Sequence, residues 1–561
     1  MGKAWSSNLS GARLEQTPEN DMLVHWSESQ YNIFLLQGDG SYLSSDQRTR
    51  FDNLVKNADS SFTLIRQNKA IYTFNMAGQL QSIRNPQDQQ LLFEYDATGK
   101  VSKVVEPVSK VFLSYQYNTA GLLESVSDSL GRQVSFGYNA TGLLEKITDA
   151  AKQTVTYSYD TAGRILKAVN SDNNVLFVNT YDADGRVLSQ DDSNPNNQLL
   201  RFAYSQDASG NYVTTVTQRD GAVRVYTYTP AYELLNLQDE LNNINQIRYD
   251  EFTGLPLEIA SATGAKTQLV YDDKGNLIRG INAKGVATQI SYDALNNPVA
   301  IVDVLNNKET FVYNDKQLLI SVSDAANQTT TLAYNSDNQL STVTSPKGAI
   351  LQLEYQNGLV SKITDAEGQT QLMTRDAAGR VVKVTDAEGH SSELVLDAVN
   401  RLVSMKDALG RTAVTLTYNA RDKVTSIQDA KGNVTRFEYD DNGNRIKVIN
   451  ALGEISRFEY DAEDRLIKVI DAANHTSQLV RDATGRVVKT IDPLGNVHEV
   501  QYDAAGNVVK QIDALGQTVI TLNYDVLDNV TQATDALGNS ARVEYDQLDQ
   551  TIKSVNRYKL E

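Results

Sequence analysis

The stretch YDAEDRLIKVID occupies residues 460–471, and close variants recur as YDADGRVLSQDD at 181–192, YDDNGNRIKVIN at 439–450 and YDAAGNVVKQID at 502–513. The wording is loose but the spacing is almost fixed. Aligned on the tyrosine, the chain yields 23 anchors from Phe74 to Tyr545, at steps of 20 to 24 residues and most often 21. Arg375, Leu396 and Arg481 stand in for the aromatic at three of them. Self-similarity at a fixed period is the mark of a repeat architecture, and here it spans about seven-eighths of the chain.

Each unit carries two turn signals, such as Asp160-Thr161-Ala162-Gly163 after an anchor and Asp513-Ala514-Leu515-Gly516 half a unit later. Asp bonds its own backbone two residues on, and Gly tolerates the positive φ that closes a hairpin. Where Gly is absent, Asn296, Asn400 or Asp528 takes its place, the next most tolerant residue types. Between turns lie runs of about seven residues. The run before an anchor alternates: Val155, Tyr157 and Tyr159 fall on one side, Thr154, Thr156 and Ser158 on the other. Period two means strand. The run after the anchor turn has apolar residues on both parities, as in Val381, Val382 and Val384. Either a bulge or cover on both faces explains it.

Strand, turn, strand, turn predicts an all-β fold: a continuous antiparallel hairpin meander of about 44 strands. A flat sheet of that width is not viable, so it must coil. A propeller would need about eleven blades, beyond the usual range. A parallel solenoid is strained by the 24-residue step from Tyr204 to Tyr228, which a hairpin loop absorbs. The expected architecture is a spiral, cocoon-like shell, open and incomplete. A ribbon of about 44 strands at ~4.8 Å each is about 210 Å long and circles a ~150 Å wall about one and a third times. Two divisions are expected. Residues 1–73 hold both tryptophans, Trp5 and Trp26, and form an N-terminal cap or plug with short strands such as 32–36; residues 74–561 form the array of about 23 units.

Composition narrows the function. The formal net charge of −18 argues against a phosphate-binding surface, and hence against nucleic acid, and against a polybasic membrane patch. Cys is absent, which excludes disulfides and thiolate metal sites. No apolar run is long enough to span a bilayer, and the first 20 residues show no signal-peptide core. The turn aspartates resemble calcium-binding repeats, but one Asp per turn need not converge on an ion, and an Asx-turn explains them. No carboxylate pair stands out among 70 acidic residues. His25, His390, His475 and His498 lack metal spacing and read as solvated polar-face residues. No nucleophile elbow, P-loop or dinucleotide fingerprint occurs. No catalytic, cofactor-binding or metal residue is therefore assigned, and no cofactor. The Tyr and Phe columns are expected to form cross-strand pairs on the buried side of the wall, with sugar stacking as the rival reading.

The pattern Tyr-Asp-x-x-Gly-Arg-Leu-x-x-Val-x-Asp-x-x-Gly resembles the YD repeat of Rhs proteins, shared with teneurins and the C components of insecticidal toxin complexes. The nearest matches are residues 181–188, 375–386, 396–407, 460–471 and 481–492, and GKAWSSNLSGARL at 2–14 resembles the segment opening many Rhs cores. The resemblance implies a hollow shell that holds a C-terminal toxin segment before delivery by secretion machinery, as in the polymorphic toxins of interbacterial competition. It implies a secreted or cell-surface, non-enzymatic protein. An adhesin or glycan-binding array, with surface glycans as partners, is the alternative. A PAAR-type tip domain, a toxin domain and the C-terminal self-cleavage region are not recognised. Asp492-Pro493-Leu494-Gly495 matches the letters of the cleavage motif but sits in an ordinary repeat turn.

Overall fold

The computed structural model describes residues 12–27, 30–191 and 199–557; Trp5 lies outside them. Within these residues 52 strands form one sheet, and the sole helical element is a 3-10 turn at Gln47–Thr49. Each strand pairs antiparallel with the one before it and the one after it, from β1 (Arg13–Gln16) with β2 (Met22–His25) to β51 (Ser540–Tyr545) with β52 (Thr551–Arg557). The fold is thus all-β, one open antiparallel meander. From β7 (Ile71–Phe74) onward it holds 52 − 6 = 46 strands, two more than the expected 44.

The uneven apolar pattern after each anchor is a bulge. In the hairpin of β41 (Val434–Tyr439) and β42 (Arg445–Ile449), Glu438 faces Lys447 but Tyr439 faces Arg445, leaving Ile446 as the extra residue. Likewise Thr374 faces Lys383 and Arg375 faces Val381, so Val382 is the extra one. The first such bulge lies at Phe74, and the hairpins before it have none. Among the hairpins that close after an anchor one lacks it, that of β19 (Leu200–Gln206) and β20 (Tyr212–Thr217), in the unit with the longest step. A bulge bends its strand and raises local twist, so one in nearly every unit coils the ribbon tightly.

Long-range contacts trace the coil. Call the turns that follow anchors the anchor edge and the others the far edge. Far-edge turns of the inner winding meet anchor-edge turns of the next. Arg50 donates to Phe252 O at 3.2 Å, Gln67 to Gly275 O at 3.2 Å, Ser129 Oγ to Ala377 O at 2.9 Å, and Asn338 Nδ2 to Asp88 Oδ2 at 2.9 Å. Further on, Arg465 reaches Asp220 at 3.0 Å, and Lys284 bridges Asp549 at 2.7 Å and Asp525 at 2.9 Å. One circuit takes 19 strands between Gln47 and Glu251, from β5 (Asn53–Lys56) to β23 (Ile244–Tyr249). It takes 25 between Lys284 and Asp549, from β27 (Ala287–Tyr292) to β51. At ~4.8 Å per strand the circuit widens from about 90 Å to about 120 Å. Both values fall below the ~150 Å expected from sequence, so the ribbon makes a little over two windings and not one and a third. The repeated bulge supplies the extra curvature.

The narrow end is filled. β1 closes onto the turn after β7, with Leu14 N donating to Gly78 O at 2.8 Å and Arg13 bridging Gln79. Seven strands thereby ring one apolar cluster that includes Val24, Phe34, Leu54, Leu64, Phe74 and Leu80, all essentially inaccessible. A single sheet buries one face only by curling over it, so this face is concave. The register carries it onward: Phe93 opposes Val104, Tyr115 opposes Val126, and Phe136 opposes Ile147. The residue two before each anchor therefore faces the inside. Beyond residue 170 few side chains are buried, as expected of a single-layer wall.

His25 corrects the reading of the histidines. It ends β2 on the face opposite Val24 and is nevertheless buried, its ring 5.6 Å from Tyr31 and Nε2 3.1 Å from Glu15 Oε2. The other three are exposed. Its cross-strand neighbours, Arg13 and Glu15 on one side and Tyr31 on the other, cover it. Burial pushes the His25 pKa down, and the neighbouring Arg13 charge adds to this. A depressed histidine takes up its proton more readily in the unfolded chain, so stability falls as pH drops below the unfolded value near 6.5. The turn aspartates behave differently. Backbone amides and side chains lower Asp96, Asp160 and Asp492, so their contribution is present above about pH 4 and is lost on further acidification. The expected acid titration has two stages: hydrogen exchange at 22–36 accelerates first, below about pH 6.5, and the array follows only below about pH 4. A single transition shared by plug and array, or a plug insensitive to His25→Gln, refutes the assignment.

Candidate functional site: the repeat wall, its turns and its seams

The turns are built alike. In the one at 160–164, Asp160 N donates to Arg164 O and Gly163 N to Asp160 O, both at 3.0 Å. Asp160 Oδ1 accepts from the amides of Ala162 and Arg164 at 2.9 Å, and Oδ2 accepts from Arg164 Nε at 2.7 Å. Both carboxylate oxygens are thus engaged within the turn. At Asp492 the Asn496 side chain takes the arginine's part, donating at 2.7 Å. Oδ1 there accepts from the Leu494 and Asn496 amides, so the Asp-Pro-Leu-Gly sequence is a repeat turn like its neighbours. In one described turn the side chains draw closer: His390 takes the arginine's part beside Asp386, at 3.3 Å, and with Glu388 the three place ligand atoms within 4.8 Å, all exposed. Because the turn carboxylates bond backbone and do not converge, adding a calcium chelator should leave the melting temperature unchanged. A fall of ten degrees or more on chelation (~10 °C, beyond a ~1–2 kcal/mol effect in a chain this size) speaks for a metal role.

Two residues of the motif join neighbouring units, and sequence reasoning did not assign either role. The anchor hydroxyl donates to the first carbonyl of the preceding post-anchor strand: Tyr95 to Leu80 O at 2.6 Å, Tyr439 to Val424 O at 2.7 Å, Tyr502 to Val487 O at 3.0 Å. Where Arg replaces Tyr the bond persists, from Arg375 Nε to Val360 O at 3.2 Å and from Arg481 to Leu466 O at 3.0 Å. That explains why arginine is an acceptable stand-in. Burial pushes the Tyr95 and Tyr117 hydroxyls up to about 12. The turn arginine reaches forward instead: Arg164 holds Asp160, donates to Asp182 O at 3.2 Å, and lies 4.5 Å above the Tyr181 ring. Arg486 repeats this over Tyr502 at 4.8 Å, donating to Asp503 O at 3.1 Å. The spacing of Gly-Arg to the next Tyr-Asp was visible; pairing of the two neighbouring strands sets Tyr181 beside Ile165 and so brings the guanidinium onto that ring.

The two faces differ. The concave side carries the aromatic and aliphatic columns, with Arg445 lying 5.8 Å from Phe437 and 5.1 Å from Phe458. The convex side carries cross-strand acid–base pairs, Glu438 with Lys447 at 2.8 Å and Glu459 with Lys468 at 2.9 Å. Such exposed pairs add little stability each; they keep the outside wettable. No described helix is long and apolar enough to cross a membrane.

A one-layer wall of tyrosine-anchored hairpins, wound over an apolar-filled narrow end, defines a repeat shell. Comparison places it more narrowly. The Teneurin YD-shell family model matches residues 62–180 and 350–470, and the RHS Repeat model matches 313–350, 460–497, 481–519 and 502–540. The chain is a YD/RHS-repeat protein. Among solved structures it is similar to a Tc holotoxin pore of Photorhabdus luminescens, with 14% identity and TM-score 0.50, over 88% of this chain and 31% of that one. A TcdB2-TccC3-TEV structure aligns with 12% identity and TM-score 0.44, over 98% of this chain and 33% of that one. The chain thus spans about a third of the length of these relatives, and the likeness is one of fold. No curated protein sequence matches it.

Proposed function

We propose that this chain is a non-enzymatic wall segment of a shell that encloses a polypeptide cargo, a C-terminal toxin segment of the kind carried by Rhs-type proteins, for delivery by secretion machinery outside the cell. The observation that carries this reading is accessible area. The chain exposes 31,417 Å², whereas a compact protein of its mass exposes about 20,000 Å². The excess is what a single-layer wall with two accessible faces requires. The aromatic columns turn toward the concave side, which suits a lumen better than an outward glycan-binding surface. The apolar-filled narrow end suits one closed end of such an enclosure, and the windings widen away from it.

Solution scattering tests it. A solid globule of this length has a radius of gyration near ~24 Å. The shell is expected to give a clearly larger value, with a pair-distance distribution that shows a void. A compact profile near the globule value overturns the proposal. For cargo, an unstable polypeptide fused after Glu561 is expected to resist protease while joined to the shell and to be digested when supplied separately. Equal digestion in both forms removes the encapsulation reading and leaves the hollow wall standing.

A further inference from the structure

The seam between windings changes character along its length. In its first half, side chains of the inner turns are packed onto glycines of the next winding. The Phe51 ring stands so close to Gly275 that a Cβ on that glycine would lie 2.6 Å from it, and Val108 stands likewise against Gly358 at 2.7 Å. Val111 reaches within 3.7 Å of the same point on Gly379. The polar contacts there run mostly to uncharged groups, the carbonyls of Phe252, Gly275 and Ala377 among them. Among the described residues, every ion pair that crosses between windings lies in the second half.

That second half begins at the turn after β20. Glu463 Oε1 accepts from the backbone amides of Arg219 and Asp220, and its other oxygen lies 3.8 Å from the Arg219 guanidinium. Arg465 answers in the opposite direction, bridging Asp220 of the inner turn at 3.0 Å and Asp461 of its own at 2.7 Å. Further on, Lys284 lies between Asp525 and Asp549. Packing is looser here. A Cβ added to Gly485 or Gly506 would meet only Arg465 or Arg486 of the same winding, with no inner side chain in reach. A void of about 410 Å³ lies in this half, lined by Thr263 from the inner winding and by Leu522, Tyr524 and Val526 from the outer.

We infer that this half of the seam is an electrostatic clasp, a stretch of wall where the two windings part without unfolding while the packed half stays shut. Parting breaks no strand ladder, because the ladders run along the ribbon and the clasp joins turn tips across it. Salt is the natural release. Attraction between charges near a surface weakens as the screening length falls from about 8 Å at 0.15 M to about 3 Å at 1 M, whereas apolar contact is not weakened in this way. The side chains of Arg219, Glu463, Arg465 and Asp220 are 15% to 25% exposed, so ions reach them. The opening is a slit between the turns at 217–221 and 461–465, a lateral way through the wall. The inference goes beyond the cargo reading and does not rest on it, since it concerns how two windings hold together.

The chain has no cysteine, so spin labels can be placed in pairs. Labels at Val223→Cys and Glu459→Cys span the clasp, and labels at Gln133→Cys and Thr374→Cys span the packed half; all four are exposed strand residues. Raising sodium chloride from about 0.15 M to about 1 M is expected to lengthen the first distance and leave the second unchanged. The double variant Glu463→Ala with Arg465→Asn copies Ala505 and Asn507 of a sister turn, so it should fold. In it the Asp220 amide, which donates to Glu463 in the parent, is expected to exchange at least ~10-fold faster at the lower salt. The ladder amides of β21 (Val223–Tyr228) should stay as protected as in the parent. A clasp distance that ignores salt overturns the inference. So do two distances that lengthen together, or an Asp220 amide that exchanges alike in variant and parent.

Discussion

Replacing Phe34 by Ala is expected to destabilise the narrow end by about 3–5 kcal/mol, the usual loss for a fully buried aromatic. Phe34 lies in β3 (Tyr31–Leu36), has no measurable exposure, and sits in the cluster that the seven-strand ring encloses. Few described side chains after residue 170 are buried as deeply, so no comparable cavity can be cut in the outer wall. The loss should appear as opening of residues 13–84 in hydrogen exchange, because a quasi-one-dimensional array lets one end loosen while distant units hold. The matching truncation Phe437→Ala in the wall, on a half-exposed residue, should cost distinctly less. Equal losses at the two sites, or exchange in the plug unchanged by Phe34→Ala, refute the filled ring.

Gly78→Ala is the second large effect. Gly78 has φ +77°, and a Cβ there would stand 2.1 Å from Leu14 O. The left-handed backbone alone costs an L-residue about 1–2 kcal/mol. Displacing β1 also breaks the Leu14 N–Gly78 O bond, worth about 1 kcal/mol net, for a total of about 2–3 kcal/mol. Gly410 provides the comparison, with φ +75° and open space around its added Cβ. Gly410→Ala should show the backbone part only and leave β1 in place. Identical melting shifts for the two variants, with β1 amides equally protected, defeat the view that β1 closes the ring through this turn.

Much of the fold was legible because its rules are local. The 21-residue period, the Asp and Gly turns, the alternation before each anchor and the consecutive pairing all follow from interactions within about two hairpins. The tyrosine-and-aspartate wording at 460–471 therefore leads directly to strand, turn and strand. The apolar residues on both parities, Val381 and Val382 among them, announced that something irregular occurred after the anchor, and register shows it to be a bulge. The candidate site was legible in part. Asp160 and its kin were read as backbone-bonding residues, and their geometry is of that kind. The forward reach of Arg164 to Tyr181 and the hydroxyl bond that most anchor tyrosines make were not, because both span units whose relative placement depends on how strongly the sheet twists.

By itself, then, the sequence determined the all-β class, the repeat, the hairpin meander and the turn chemistry, and it set the aromatic columns on one face without saying which face lines the interior. Those properties depend on near neighbours along the chain, where spacing of two, four or twenty-one residues has one geometric meaning. Tertiary structure alone decided the number of windings and the seams that join Lys284 to Asp549 and Asp220 to Arg465. These depend on curvature. A small added bend at each bulge, summed over some two dozen strands, sets the residue that arrives above any given turn, and no single stretch of sequence encodes that sum.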